Sequence, residues 1–362
     1  MTRNGQADHP MTTSVLQILG LTEAVREDEV EWAVVTPESR HSIWRITAPA
    51  TAPGPRSYVV KSYHRDSDKY FDHRFRREER ILDLAGRYAP GLAPSVHGGA
   101  IIEGRSAYLV LEDLGDRPLH VDLDGADVGG RMRRLRLAVD LLARFHRLTD
   151  EYSVILRAVC QSSILDRINT HTLLKRFDVA CDRLASNTSS QDTSGVRDEF
   201  HRSVIRPLLR GPRRVIHNSF SPLNICMLED GSLRVLDMET VAIGPAELDL
   251  AELLIYPGPD IGTGEHALIA RYYRAMAVGK PDGDSRERLQ LAAIVRALDS
   301  AGTLSARGIR FREDGLDDLA STQEDRRVRY LREALDRASE IELPTNLVQW
   351  LVSLVGEGGD GR

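Results

Sequence analysis

The chain has 362 residues, of which 41% are hydrophobic and 28% charged, a composition typical of a globular protein with one large core or two smaller ones. The formal charge of −6 at pH 7 provides no basic field for nucleic acid or an anionic membrane, so both classes of partner are disfavoured. Only four of the 48 basic residues are lysine, which makes every lysine in this chain unusual.

No apolar run approaches the roughly 18 to 20 residues that cross a bilayer. The first residues lack the basic and then apolar pattern of a signal peptide, so we expect a cytosolic protein. Cys160, Cys181 and Cys226 are too few and too scattered for a disulfide framework or a zinc site. We interpret them as reduced, small apolar residues that fill space.

The first part of the chain is rich in predicted strands. Residues 1–14 are polar and are expected to form a loose tail. From Val30 to Leu114, β-branched and aromatic runs are separated by turn-forming stretches. The predicted strands are WAVV, SIWRI, SYVVKSY and AYLVLEDL, with one helix, FRREERILDLAGRY, among them. These elements predict a small antiparallel β lobe over residues 15–115.

After Asp116 the sequence changes to long amphipathic helices, in which apolar residues recur every three or four positions. Examples are RMRRLRLAVDLLARFHRL, EFHRSVIRPLLR, EHALIARYYRAMA and RERLQLAAIVRAL. We therefore predict a larger helical lobe over residues 116–355 and a loose tail over 356–362. The polar segment SNTSSQDTSG is predicted to be a loop between helices. The predicted fold class is α+β with two lobes.

A short hairpin interrupts the helical part. Ile225–Leu228 and Ser232–Leu236 are strand-like and flank a Glu-Asp-Gly turn. Pairing of these strands places Asn224 and Asp237 at the open end of one ladder, roughly 5 Å apart. Amide and carboxylate oxygens suit Mg²⁺ bound together with nucleotide phosphates. Capping of local turns is the alternative role and, on the hairpin alone, the better interpretation.

Three segments taken together change that interpretation. HNSFSPLN (217–224), LRVLDMET (233–240) and GPAELDLAELL (244–254) resemble the catalytic region of the aminoglycoside phosphotransferase and choline kinase group of the protein-kinase-like fold. That group has His-Gly-Asp-x-x-x-x-Asn, a hairpin, Ile-Asp-x-Glu and Asp-Leu-Ala at the same spacing. Upstream, YVVKSY, FRREER, LVLEDLG and LARFHRL follow in the group's order. The resemblance covers roughly residues 30–275 and implies a small antiparallel N-lobe and a larger, mostly helical C-lobe.

The resemblance also implies a nucleotide site in the N-lobe. Lys61 would bind the α- and β-phosphates of ATP or GTP, steadied by a glutamate of the FRREER helix. Glu78 is the preferred partner and the neighbouring Glu79 the alternative. Backbone groups around Glu112 and Leu114, in the segment that resembles the hinge between lobes, would contact the base.

The same resemblance assigns the metal and the catalytic loop. Asn224 and Asp237 would hold Mg²⁺ against the phosphates, and Asn224 also belongs to the catalytic motif. Asp249 would brace the catalytic loop through hydrogen bonds, and His217 would pack beneath it.

One departure from the group affects the chemistry. The group's catalytic base is the aspartate two residues after the histidine, and that position is Ser219 here. General base catalysis contributes about 10²- to 10⁴-fold, whereas positioning and metal electrostatics supply most of phosphoryl-transfer catalysis. Two functions stay open. One is phosphoryl transfer to a hydroxyl of a small molecule or peptide, impaired by Ser219; the other is a pseudokinase that binds nucleotide and serves as a scaffold or regulatory subunit for a protein partner in a biosynthetic complex.

Two further segments bear on ligands. The nucleotide-covering loop has no glycine between Val34 and Ile46, so Ser39, Ser42 or Arg40 would have to contact phosphates through side chains. The acceptor site is expected in the helical lobe, where the acidic segment EDGLDDLASTQEDRR would suit a cationic acceptor. A solvated helix face is the better interpretation of such mixed charges.

Overall fold

The structure, a computed structural model, describes residues 11–36, 42–65, 70–102, 105–160, 168–185, 194–256, 261, 264–276 and 283–356. The described residues form two compact units. Unit 1 comprises the described residues within Met1–Pro118, Ile155–Gln161 and Asn224–Val241. Unit 2 comprises the described residues within Leu119–Val154, Ser162–Leu223 and Ala242–Arg362. The first boundary thus follows Pro118, whereas the sequence predicts it after residue 115. The hairpin that the sequence places in the helical lobe belongs to unit 1.

Unit 1 contains an antiparallel five-stranded sheet. Its strands are β1 (Glu31–Thr36), β2 (Ser42–Thr47), β3 (Ser57–His64), β4 (Val96–Ile102) and β5 (Ser106–Glu112), and α2 (Phe71–Tyr88) lies between β3 and β4 in the chain. The order across the sheet is β1-β2-β3-β5-β4. This architecture confirms the predicted β-rich first part.

Strand β4 is an element that the sequence prediction missed. Its sequence, VHGGAII, contains two adjacent glycines, which weaken a strand pattern. The structure explains one of them, because a Cβ atom on Gly99 would lie 2.8 Å from the ring of Phe75 on α2. The glycine allows the helix to pack directly against the sheet.

One hydrophobic cluster of the core of unit 1 lies on the face of the sheet opposite to α2. Alternate residues of adjacent strands share this face because side chains alternate along a strand. The buried members are Ile46, Tyr58, Val60, Tyr108 and Val110, joined by Met11 and Val15.

Helix α1 (Thr12–Leu19) covers this core and corrects the predicted extent of the N-terminal tail. Met11 and Thr12 are buried, so the ordered chain begins before residue 15. The polar composition of the first residues conceals this helix, since only a few apolar side chains pack it onto the sheet.

Unit 2 is mainly helical, as predicted. Its helices are α3 (Leu119–Asp124), α4 (Val128–Glu151), α6 (Thr170–Ala185), α7 (Ser194–Phe200), α8 (Glu247–Ile255), α9 (Gly264–Ala275), α10 (Gly283–Glu313), α11 (Asp317–Ser339) and α12 (Thr345–Gly356), while α5 (Ser153–Cys160) spans the boundary with unit 1. In α4, fully buried residues recur at spacings of three and four, among them Leu135, Ala138, Val139, Leu142 and Phe145. A π-helical turn, His201–Ile205, follows α7 and leads into a short helical segment, Arg206–Leu208.

Two short antiparallel pairs complete the described strands. β6 (Arg213–Ile216) pairs with β9 (Ala242–Pro245) in unit 2, and β9 was not predicted. β7 (Ile225–Met227) pairs with β8 (Leu233–Val235) in unit 1, with Ile225 opposite Val235. The predicted hairpin is therefore confirmed.

Some predictions concern residues outside the described part of the chain: the tails 1–10 and 357–362, Ser39, Arg40, and most of the polar loop SNTSSQDTSG. The Cys160 side chain is also outside it. Cys181 and Cys226 are buried free thiols, and burial raises the pKa of Cys181 to about 12, as expected of a cysteine that fills space. Within the described residues, no helix has both the length and the apolar character that crossing a membrane requires.

Candidate nucleotide-binding and catalytic residues

A buried cluster of charged residues surrounds Lys61 in unit 1. The Lys61 Nζ atom lies 2.8 Å from Glu78 Oε2 and 3.1 Å from Glu239 Oε2, and it also forms an ion pair with Asp237. Lys61 is only 5% exposed, so this lysine is not a solvated residue of the sheet surface. We call Lys61, Glu78, Asp237 and Glu239 the charged centre.

Three separate segments bring the charged centre together. Lys61 comes from β3, Glu78 from α2, and Asp237 and Glu239 follow β8. The partner of Lys61 on α2 is Glu78, the residue preferred over Glu79 from the sequence. Glu78 also accepts a hydrogen bond from the Tyr63 hydroxyl.

Helix α2 holds the segment after Asp237 through a second buried side chain. The Arg77 Nη1 atom donates to the backbone oxygens of Glu239 at 2.9 Å and Val241 at 3.1 Å. The backbone N–H of Met238 donates to Glu78 Oε1 at 3.3 Å. The position of Asp237 therefore depends on α2 as well as on the hairpin.

Electrostatics favour the charged form of Lys61. Burial alone would lower the pKa of Lys61, but Asp237 and Glu78 raise it well above the ordinary value. Burial raises the pKa of Glu78, and the nearby Lys61 opposes that shift. A permanently charged ammonium group next to carboxylates is a chemistry suited to polyphosphate and a divalent cation.

The hairpin places Asn224 opposite Leu236 and not opposite Asp237, so the predicted pairing is shifted by one residue. The Leu236 N–H donates to the Asn224 carbonyl oxygen at 2.8 Å, which continues the β7–β8 ladder by one pair. Asp237 comes directly after this pair and has a left-handed backbone, with φ of 62°. Its side chain is 36% exposed, more than those of Glu78 and Glu239. Of these three carboxylates, Asp237 is thus the most accessible to a ligand.

The loop around Ser219 belongs to unit 2 and is held by Asp249. The fully buried Asp249 carboxylate accepts backbone hydrogen bonds from His217 at 2.6 Å and Asn218 at 2.7 Å. It also contacts the His146 Nε2 atom at 3.0 Å. Burial alone would raise the pKa of Asp249, but the hydrogen bond from His146 and nearby positive charge hold it below the ordinary value.

Asn218 occupies the position that is usually glycine in the group that the chain resembles. Its φ of 65° is left-handed, a conformation that asparagine tolerates better than most residues. Its Oδ1 atom accepts a hydrogen bond from Arg296 Nη2 at 3.1 Å. The side chain therefore anchors the loop to α10 in addition to supplying the required backbone conformation.

Ser219 follows this anchored pair and is partly exposed. Its carbonyl oxygen accepts from the Ser221 N–H at 2.9 Å. His217 is buried between the rings of Phe145 and Phe220, with centroids 5.8 and 5.7 Å away. The loop is thus well supported, and residue 219 presents a neutral hydroxyl.

The side chain of Glu112 forms hydrogen bonds within unit 1. It accepts hydrogen bonds from the Ser95 N–H at 3.0 Å and the Ser95 hydroxyl at 3.1 Å. The Leu114 carbonyl oxygen accepts a weak bond from the Cys226 thiol at 3.5 Å. The acidic residues Glu313, Asp314, Asp317 and Asp318 are exposed, which fits a solvated helix face.

Three residues were assigned no role from the sequence. Glu239 stands in the quoted Ile-Asp-x-Glu pattern, so its motif position was an available signal. Arg77 is next to Glu78 in the sequence, and no sequence signal marks it. Its burial is visible only in the structure. His146 lies in the LARFHRL segment, but its contact with Asp249 joins residues 103 positions apart and depends on tertiary structure.

Residues 42–288 match the model of a phosphotransferase enzyme family. The chain belongs to this family. The match contains the charged centre, the hairpin and the Ser219 loop, so the resemblance predicted from the motifs is confirmed. No curated protein sequence matches the chain.

Solved structures of this fold include several kinases and phosphotransferases. The GDP complex of a mutant aminoglycoside 2′-phosphotransferase-IIIa is 14% identical and has a TM-score of 0.59, over 88% of this chain and 97% of that one. Choline kinase LicA from Streptococcus pneumoniae is 15% identical, with a TM-score of 0.54 over 91% and 100%. Plasmodium vivax ethanolamine kinase is 11% identical, with a TM-score of 0.54 over 87% and 86%. At these identities the likeness establishes the kinase-like fold.

Proposed function

We propose that this member of the phosphotransferase family binds ATP or GTP with Mg²⁺ in unit 1 and transfers a phosphoryl group to a hydroxyl of a small molecule or peptide. The observation that carries the proposal is the charged centre. A buried lysine in contact with three carboxylates is expensive to desolvate, and a role in polyphosphate binding explains why it is kept.

The carboxylates of the charged centre fit a magnesium ion. One oxygen from each of Glu78, Asp237 and Glu239 lies within 4.8 Å of the others. Mg²⁺ prefers oxygen ligands and is usually held by one or two carboxylates together with nucleotide phosphates. Asp237, the most exposed of the three, would be the first carboxylate ligand, and Asn224 at the end of the same ladder would be its partner.

Each residue of the proposed site has a separate task. Lys61 would bind phosphate oxygens as a compact cation, and Glu78 would hold the ammonium group in place. When bound, Mg²⁺ would neutralise charge on the nucleotide phosphates. Asp249 would keep the loop of Ser219 in shape through two backbone N–H groups.

Ser219 would make transfer slow but not abolish it. A serine hydroxyl is too weak a base to accept a proton near neutral pH. The loose transition state of phosphoryl transfer derives most of its stabilisation from positioning and charge, which the other residues would supply. We expect turnover below that of relatives with an aspartate at this position by about 10²- to 10⁴-fold.

Calorimetry with Mg·ATP and Mg·GTP tests the nucleotide site. We expect the native protein to bind at least one of them in a Mg²⁺-dependent manner, and Asp237→Asn to lose that dependence. Asp83→Asn is the matched control, because Asp83 lies on the exposed surface of α2 in the same unit. Failure of the native protein to bind either nucleotide would contradict the proposal.

Turnover needs a separate assay. Native protein with Mg-nucleotide is incubated with a panel of hydroxyl-bearing amines, sugars and serine or threonine peptides, and phosphorylated products are detected by mass spectrometry. A product that depends on Lys61 supports transfer. Nucleotide binding without any product favours the second candidate.

The second candidate is a pseudokinase that binds nucleotide and serves as a scaffold or regulatory subunit for a protein partner. Ser219 is the observation that favours it. If Ser219→Asp creates turnover that the native protein lacks, while Ser219→Asn does not, the native chain is a degenerate enzyme. Robust turnover by the native protein would rule this candidate out.

A further inference from the structure

An arginine of β2 holds together the segment that follows β5. Arg45 donates from Nε and Nη2 to the Asp113 carboxylate at 2.7 and 3.1 Å, and from Nη1 and Nη2 to the Asp116 carboxylate at 2.6 Å each. We call Arg45, Asp113 and Asp116 the arginine clamp, and residues 112–118 the hinge segment. All of them belong to unit 1.

The sheet register places the clamp on the same face as Lys61. Arg45 lies opposite Val59 on β3, and Val59 lies opposite Leu111 on β5. Directly paired residues point to the same face of a sheet, and so do residues two apart on one strand. Arg45, Val59, Leu111 and Lys61 therefore share one face, and Val59 is the neighbour of Arg45 across the strands and of Lys61 along β3.

The hinge segment begins where the ladder of the sheet ends. The last β5 residue in register is Glu112, opposite Tyr58. Beyond it, Asp113 accepts hydrogen bonds from the Ser57 hydroxyl and, at 2.9 Å, from the Gly115 N–H as well as from Arg45. The acidic side chains of the segment thus hold it to the sheet, and under the proposed function its backbone would contact the base.

The clamp depends on the chemistry of arginine. Two carboxylates placed close together repel each other, and the planar guanidinium group attracts both while donating four directed hydrogen bonds. Hydrogen bonds from Arg45 lower the pKa of Asp116, and with Ser57 they hold that of Asp113 below its ordinary value despite burial. A lysine has a single point charge and cannot bind both carboxylates in this bidentate way.

We propose that Arg45 is a positioning residue for the nucleotide base, because it fixes the backbone of the hinge segment in the conformation that contacts the base. This inference rests on the proposed function of unit 1 as a nucleotide site. Preorganisation of this kind contributes affinity by removing the entropic cost of ordering the segment on binding. The clamp therefore acts on the base, whereas the charged centre acts on the phosphates.

That division of roles can be tested with two ligands that differ only in the nucleoside. Mg·ATP engages both regions, whereas Mg·tripolyphosphate engages the charged centre alone. We expect Arg45→Met to lower the affinity for Mg·ATP about tenfold and to change that for Mg·tripolyphosphate less than twofold. Arg45→Lys should lie between the native protein and Arg45→Met. Lys61→Met should lower the affinity for both ligands.

The controls separate the clamp from general damage to unit 1. Arg26→Met removes an exposed arginine of the same unit that also pairs with two carboxylates, and it should leave both affinities unchanged. Circular dichroism of each variant without ligand checks folding. If Arg45→Met weakened the binding of both ligands equally, or left the affinity for Mg·ATP unchanged, the role of the clamp would be overturned and the proposed function would stand. Failure of the native protein to bind Mg·ATP, Mg·GTP and Mg·tripolyphosphate alike would overturn the proposed function and the clamp's role with it.

Discussion

The charged centre of unit 1 and the Ser219 loop of unit 2 are both held by buried carboxylates, but they differ in the group that they present. Glu78 holds Lys61, whose ammonium group is present and charged. Asp249 holds the backbone of His217 and Asn218 in the same way, but the next residue is a neutral serine. The supporting hydrogen bonds are present in both regions, but only the charged centre presents an ionisable group beside its supporting carboxylate. Under the proposed function, nucleotide binding and turnover would therefore be separable.

The largest effect should come from removing the carboxylate that supports the loop. Asp249→Ala leaves two backbone N–H groups and His146 without their buried acceptor, and we expect the free energy of unfolding to fall by about 3–5 kcal/mol. Chemical denaturation measures the change. Asp178→Ala, which removes an exposed ion pair with Arg197 of the same unit, should change it by about 1 kcal/mol or less. Similar losses in both variants would show that Asp249 has no special role in the loop.

The next effect separates the two regions by ligand affinity. Lys61→Met removes charged hydrogen bonds to phosphate worth about 1.5–3 kcal/mol, so the affinity for Mg·ATP should fall by roughly 10- to 100-fold. Ser219→Ala should leave it unchanged, because the proposed function gives the Ser219 hydroxyl no contact with the nucleotide phosphates. The exposed Lys175 provides the matched control, Lys175→Met. Calorimetry measures the affinity of each variant for Mg·ATP. A large loss of affinity in Ser219→Ala would contradict the separation of the charged centre from the Ser219 loop.

A smaller effect is expected from the contact between α2 and the chain after Asp237. Arg77 is 2% exposed, and its replacement in Arg77→Met leaves two carbonyl oxygens without their donor. We expect a loss of about 1–3 kcal/mol in the free energy of unfolding, together with weaker Mg²⁺-dependent binding. Arg76→Met on the exposed side of the same helix is the control. If both variants behaved alike in denaturation and calorimetry, Arg77 would not position Asp237.

The smallest effect concerns pH and the arginine clamp. The pKa values of Asp113 and Asp116 are lowered in the folded protein, so the ionised carboxylates stabilise the fold. This stabilisation is complete at pH values above the pKa of the unfolded state. It is lost as the pH falls through the lower pKa of the folded state. The difference in unfolding free energy between the native protein and Arg45→Met should be about 1 kcal/mol near neutral pH and should narrow below about pH 4. Denaturation at a series of pH values measures it. A difference independent of pH would exclude the carboxylates as its source.

Much of unit 1 could be predicted because its signals are local. The runs around Val60 and Val110 alternate or are continuously apolar, and the Glu-Asp-Gly turn specifies the β7–β8 hairpin. β4 escaped prediction because Gly98 and Gly99 obscure the strand pattern, and the reason for Gly99, the approach of Phe75, lies in another element. Helix α1 was also missed by the sequence prediction. Its apolar residues contact the sheet, and these contacts cannot be seen in the local sequence.

The site shows the same division between local and distant information. The motif spacing was enough to name Lys61, Glu78, Asn224, Asp237 and Asp249 as candidates. The structure adds that Lys61 contacts Asp237, 176 residues away, and that Glu239 joins the same cluster. The clamp is a similar case, because Arg45 and Asp113 are 68 residues apart and no motif links them.

The sequence by itself determined the family and the α+β fold, since ordered motifs can be read without coordinates, and it predicts that Ser219 stands where the family has an aspartate. It also singled out Lys61 among four lysines. Tertiary structure decided which of two adjacent glutamates pairs with that lysine, that Asn224–Val241 belongs to the β-rich unit, and that Arg45 holds the hinge segment. These features depend on side chains from distant segments meeting in one place, and burial and charge pairing become visible only when the chain is folded.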